Sequence, residues 1–183
     1  MSGLPAAILA DVGEAASEDA AAPRWYVLRT RSRHEKVVRD ELAARGLEPF
    51  LPLWTRWSRW KDRRKAISTP LFPGYCFARF AREDKLHVLT TRGVVAIVGS
   101  RGVIEPVPTA ELEAVRRLVE GPLRYDPCPF LDEGMEVEVV RGPLIGVRGR
   151  VVRKERTPRL VLAVDLIRQG AAVEIDAADV VPA

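Results

Sequence analysis

From Trp54 the chain reads Trp54-Thr55-Arg56-Trp57-Ser58-Arg59-Trp60-Lys61-Asp62-Arg63-Arg64-Lys65, and Arg56 to Lys65 holds six bases and one acid. Tryptophans interleaved with cationic groups suit one chemistry: the cations neutralise phosphates while the indole faces stack on bases, each stack contributing about 1 to 3 kcal/mol. An enclosed core strand would not carry so many charges, because a buried charge left without its partner costs about 3 to 5 kcal/mol. An exposed hairpin turning near Asp62 is expected, with Trp54 and Trp60 on one face and Trp57 with Arg59 on the other. Arg56, Trp57, Arg59, Trp60, Lys61, Arg63, Arg64 and Lys65 are the nucleic-acid candidates. The alternative is a structural hairpin whose tryptophans pack on a neighbouring helix.

A second constellation follows at Pro70-Leu71-Phe72-Pro73-Gly74-Tyr75-Cys76-Phe77. Two prolines and a glycine force a turn, and the aromatic run behind it reads as a strand. On a strand Tyr75 and Phe77 share one face and Cys76 takes the other. Those rings form either core or a docking surface.

Charge is distributed unevenly, which says more than the net +4. Met1 to Pro23 carries four acids and no base, Arg24 to Ile67 thirteen bases against five acids, and the rest is close to balanced. Basicity confined to one quarter of the chain is the footprint of a local polyanion contact. No phosphate-binding Gly-Lys-Ser/Thr loop, nucleophile elbow or His-acid-nucleophile spacing occurs, so binding rather than catalysis is expected. Two cysteines and two scattered histidines, His34 and His87, give neither a disulfide scaffold nor a zinc spacing. No apolar run reaches membrane-spanning length and no secretory leader is evident, so a cytoplasmic chain without metal or cofactor is expected.

Residues 1–23 are Ala-rich and acidic and read as a disordered tail. Arg24 to Thr30 alternates as an opening strand, and Ser32 with Glu35 forms a capping box for a helix whose buried stripe is Val38 and Leu42, ended by Gly46. Leu47 to Leu53 reads as a strand, Glu83 to Thr91 as a short helix, Val94 to Val98 as a strand, and Thr109 as the cap of a helix burying Leu112, Val115 and Val119. Pro122 to Leu131, with three prolines, reads as a linker. Residues 132–183 show short strands and Gly-rich turns with no helical period, which suggests a small antiparallel barrel.

Trp25-Tyr26-Val27-Leu28, the Phe72-Pro73-Gly74-Tyr75-Cys76-Phe77 stretch and Thr91-Arg92-Gly93-Val94 resemble the N-terminal domain of NusG-type transcription elongation factors. Gly142-Pro143-Leu144-Ile145-Gly146-Val147-Arg148-Gly149 resembles that family's KOW motif, with Gly142, Pro143, Gly146 and Gly149 in its spacing. Pro-Leu-Phe-Pro, the Trp-rich hairpin and Pro127 to Leu131 are most similar to the UpxY, LoaP and RfaH antiterminator groups. The resemblance implies an α+β N-terminal domain over 24–121, an antiparallel sheet with flanking helices, then a linker over 122–131 and an SH3-like KOW barrel over 132–183. It implies that Val27, Arg29, Phe72, Pro73, Tyr75 and Phe77 grip the clamp helices of RNA polymerase. Arg31 and Arg33 would face non-template or upstream DNA, and the barrel would take a small-subunit ribosomal protein or Rho. The helix at Asp84 to Thr91 lacks the His-Thr-Thr-Thr run of RfaH, so a second polymerase contact there is not implied. A monomeric antiterminator is the expectation; a housekeeping NusG or a ribosome-associated KOW protein are its alternatives.

Overall fold

Alternation along the first strand sets two opposed cores. A computed structural model describes residues 22–60, 63–129, 134–154 and 157–183, with backbone alone for 56–60, 63–65, 129, 153, 154 and 157. In β1 (Arg24–Thr30), Trp25 and Val27 enter one apolar cluster while Tyr26 and Leu28 enter another. A strand does this because successive side chains leave opposite faces. Its neighbours are β2 (Glu48–Phe50), β5 (Tyr75–Phe80) and β6 (Val94–Ile97), in the antiparallel order β2-β5-β1-β6. Val27 stands opposite Phe77 and Arg29 opposite Tyr75.

One face is closed by α1 (Glu35–Ala44) and α2 (Lys85–Leu89). Val38, Leu42 and Val88 pack there with Tyr26, Leu28, Cys76, Ala78 and Phe80. The capping expectation fails at the start of α1. Arg33 adopts a left-handed φ of 62°, which leaves Ser32 outside the helix, and His34 occupies the cap position with no side-chain cap bond. Thr109 likewise is the first helical residue of α3 (Thr109–Glu120), with Pro108 at its cap. Pro108 pre-sets the backbone for entry and supplies no side-chain acceptor.

The Trp-rich segment is a long hairpin of β3 (Leu53–Trp60) and β4 (Arg63–Pro70), in unbroken register from Leu53 opposite Pro70 to Trp60 opposite Arg63. A two-stranded β7 (Gly99–Ser100) and β8 (Val103–Ile104) precedes α3.

The C-terminal part is a six-stranded antiparallel sheet of β9 (Tyr125–Pro129), β10 (Met135–Val139), β11 (Arg148–Lys154), β12 (Thr157–Val164), β13 (Gln169–Glu174) and β14 (Val180–Pro182). Its order is β14-β10-β11-β12-β13-β9. The proline-rich run read as a linker therefore contains an edge strand, Pro127 lying opposite Ala171 and Pro129 opposite Gln169. Prolines are tolerated there because an edge strand leaves one row of N–H groups unneeded.

Helix α3 lies between the two parts. Leu112, Ala114, Val115 and Leu118 are buried in the same cluster as Trp25, Val27, Phe72 and Phe77 on one hand and Val147, Leu160 and Leu162 on the other. Among the described residues no helix is long and apolar enough to cross a membrane.

Candidate functional site: an aromatic face beneath a helix and a sheet

The sheet face opposite α1 carries a chain of rings. Trp25 meets Phe50 edge-on at 6.4 Å, Phe50 lies 6.0 Å from Phe77, and Phe77 meets Phe72 edge-on at 6.0 Å. Edge and tilted contacts at these spacings suit the ring quadrupoles. Phe72 and Phe77 are buried with Val27, Tyr75 is half-buried against the same cluster, and Arg29 and Pro73 are exposed. Strand pairing and the turn thus bring Val27, Phe72, Tyr75 and Phe77 into one cluster, with Arg29 and Pro73 exposed. Trp25 and Phe50 extend this face, and neither is among the residues singled out from the sequence. The signal for Trp25 was its parity with Val27; Phe50 becomes its neighbour only through the pairing of β2 with β5.

What covers this face is α3. The Arg116 guanidinium sits 5.4 Å from the Trp25 ring centre and 5.0 Å from that of Phe50, and it pairs with Glu113. On its other side α3 is tied to the C-terminal sheet. Arg117 Nη1 donates to the Ile145 carbonyl at 3.0 Å, and Glu111 Oε2 accepts the Asp165 N–H at 3.2 Å. Burial pushes the Glu111 carboxyl above its ordinary 4.5, the Asp165 N–H opposes that, and the Asp165 charge reinforces it. A further link runs from the Tyr125 hydroxyl, which donates to the Leu53 carbonyl at 2.7 Å, with burial raising the phenol.

Arg31 and Arg33 are exposed at the entry to α1. A groove of about 480 Å³ runs from Arg33 and Lys36 to Trp54, Thr69 and Pro70 at the hairpin root, where Lys36 Nζ donates to the Ser68 carbonyl at 2.9 Å. The backbone pairs in register from Leu53 opposite Pro70 to Trp60 opposite Arg63. Lys61 and Asp62 lie outside the described residues, as do the side chains of Arg56, Trp57, Arg59, Trp60, Arg63, Arg64 and Lys65.

The Gly-Pro-x-x-Gly-x-x-Gly segment joins β10 to β11. Gly142 and Gly146 adopt φ of 86° and 78°, left-handed values that need glycine. Gly149 has a different reason: a Cβ there would stand 2.7 Å from the Val161 carbonyl oxygen and 2.9 Å from methyls of Leu160 and Leu162. The loop buries Leu144 and exposes Ile145, while Pro143 is exposed.

A family model described as "Transcription termination factor nusG" matches residues 23–116. The chain belongs to the NusG family. The transcription termination/antitermination protein NusG of Streptococcus pyogenes serotype M1 is 27% identical over 165 residues, covering 83% of this chain and 92% of its own. NusG of Staphylococcus epidermidis strain ATCC 12228 is 26% identical over 174 residues, covering 87% and 96%. A solved structure of Thermotoga maritima NusG shares the fold at a TM-score of 0.53 and 22% identity, over 88% of this chain and 97% of that one. NusG-family proteins are transcription termination and antitermination factors, not enzymes. Among the described residues no His, Cys, Asp or Glu cluster could hold a metal ion.

Proposed function

We propose that this NusG-family chain docks on the clamp helices of RNA polymerase through Val27, Arg29, Phe72, Pro73, Tyr75 and Phe77 and suppresses pausing and termination. One observation carries it: the ring chain Trp25–Phe50–Phe77–Phe72 lies on the sheet face that α1 and α2 leave uncovered. An aromatic face of that kind offers anchors for an apolar helical partner. Docking then requires α3 and the C-terminal sheet to move away from it. Bound to polymerase, the factor favours the elongating state by binding it more tightly than the paused one.

The hairpin, with Arg31 and Arg33, contacts non-template or upstream DNA, and residues 132–183 act as a KOW barrel for a ribosomal protein or Rho. The factor works in the cytoplasm as a monomer, needs no cofactor, and belongs with the specialised antiterminators on the strength of its Pro-Leu-Phe-Pro turn and Trp-rich hairpin. A housekeeping role is the second possibility, favoured by relatives named NusG that match over nearly their full length.

Tyr75→Ala tests the docking face. Truncating an aromatic anchor in a desolvated contact costs about 2 kcal/mol or more, a loss of roughly thirtyfold in polymerase affinity. The variant should keep its fold by circular dichroism and lose capture by polymerase; a folded variant captured as well as the parent would exclude the face.

A further inference from the structure

The geometry points to Glu35 as a positioning residue for the docking turn, acting through the backbone of Gly74. Glu35 is the first residue of α1 and is only 6% exposed. A carboxylate so buried needs a partner, since its desolvation is otherwise uncompensated. Its sequence position suited a capping box, yet no side-chain cap bond forms at this helix start. Instead Oε1 reaches across to the turn and accepts the Gly74 N–H at 2.8 Å. The carbonyl of the same glycine accepts the Thr30 N–H at 2.8 Å, and Tyr75 N–H donates to the Phe72 carbonyl at 3.1 Å.

Gly74 is thus gripped at both ends of its peptide units, by the end of β1 on one side and by α1 on the other. Its φ of 85° makes it the pivot of the turn, and no atom would touch a Cβ there, so side-chain packing does not fix it. Two hydrogen bonds do, Gly74 N–H to Glu35 Oε1 and Thr30 N–H to the Gly74 carbonyl, and the first ties it to α1. On one side of this pivot stand Phe72 and Pro73, on the other Tyr75 and Phe77, so the carboxylate sets the angle between the two halves of the aromatic face.

This role rests on the polymerase-binding face proposed above, and the experiment separates the two. The full chain is compared with Glu35→Ala, Glu35→Gln and Tyr75→Ala for affinity to core RNA polymerase, and for amide hydrogen exchange of the free protein. Glu35→Ala should lose about tenfold in affinity and exchange the Gly74 amide about tenfold faster, while the amides of Val27 and Phe77 keep their protection. Glu35→Gln, which retains an acceptor oxygen, should restore most of both. If Glu35→Ala exchanges Gly74 faster but binds like the parent, or if the whole β1–β5 pair loses protection together, Glu35 does not position the face. Should Glu35→Ala fail to fold, a Glu35→Gln chain indistinguishable from Glu35→Ala in fold and binding would overturn the role, and one that folds and binds would support it. Unchanged binding by Tyr75→Ala condemns the docking face itself, and this role with it; weakened binding by Tyr75→Ala beside normal binding by Glu35→Ala condemns only the role of Glu35.

Discussion

Cys76 lies on the reverse side of β5 from Tyr75 and Phe77, and its chemistry is set by that placement. Cys76 is fully buried between the sheet and α1, and desolvation pushes its thiol from 9.0 to about 12, against smaller lowering contributions from the Phe77 backbone and Arg39. The native thiol keeps a proton that the unfolded chain has given up, so its contribution to stability is present below about pH 9 and lost as pH rises through that range. The nucleophile is the thiolate, so Cys76 is inert near neutrality. At about pH 8 a thiol reagent should modify Cys128, which is half-buried, and should reach Cys76 only when denaturant is added. Rapid modification of both in native protein would mean that α1 does not seal this face. Sequence alone placed Cys76 opposite Tyr75 and Phe77 because strand parity is local. It could not place Phe50 beside Phe77, since that contact depends on how β2 registers against β5. Gly149 is a similar case. Its spacing marked it as part of the motif, but the reason for glycine is the backbone of β12, distant in sequence.

Elements with a strong internal pattern were legible, and those defined by a neighbour were not. The hairpin of β3 and β4 followed from alternation and a charged turn, and α1 from the spacing of Val38 and Leu42. Its cap was misplaced because the left-handed Arg33 breaks a local rule to serve the join with β1. Strand β9 was hidden because prolines argue against a strand unless one already knows that it lies at an edge. The two-residue strands β7 and β8 are too short to leave a period. If Arg63, Arg64 and Lys65 neutralise phosphates on forked DNA, changing all three to alanine should flatten the log-log dependence of affinity on salt by about 0.7 to 0.9 per contact. Trp57→Ala or Trp60→Ala should weaken binding while leaving that slope nearly unchanged, because stacking releases no counterions. The measurement belongs on an assembled elongation complex, where polymerase raises the local concentration of the strand. A triple variant with unchanged crosslinking, pausing and termination and intact polymerase binding would make the hairpin a structural element only.

For the molecule as a whole, the decisive feature is that α3 serves two sheets with one set of side chains. The proline run reads as a linker between two domains, yet one apolar cluster runs from Trp25 through Leu112 and Leu118 to Leu160 and Leu162. Among the polar links between α3 and the C-terminal sheet is Glu111, whose carboxyl is raised. Burial is the main cause of the rise, so if docking lifts α3 off the C-terminal sheet, as proposed above, ionisation of Glu111 is easier in the open arrangement. The closed arrangement therefore binds a proton more tightly than the open one. As pH rises from about 4.5 through the raised value, the closed arrangement loses that advantage, and the contact between α3 and the sheet weakens. Glu111 is half-exposed, so solvent screening keeps the effect modest. Glu111→Gln can still accept the Asp165 N–H but has no charge to release. Small-angle scattering of the two proteins between about pH 4.5 and 7.5 should show the parent expanding more than Glu111→Gln as pH rises. Near neutrality the variant should also be the more closed and, on the docking face proposed for Phe72 and Tyr75, the weaker binder of polymerase. Identical scattering curves across the range would show that Glu111 does not govern how firmly α3 holds the sheet.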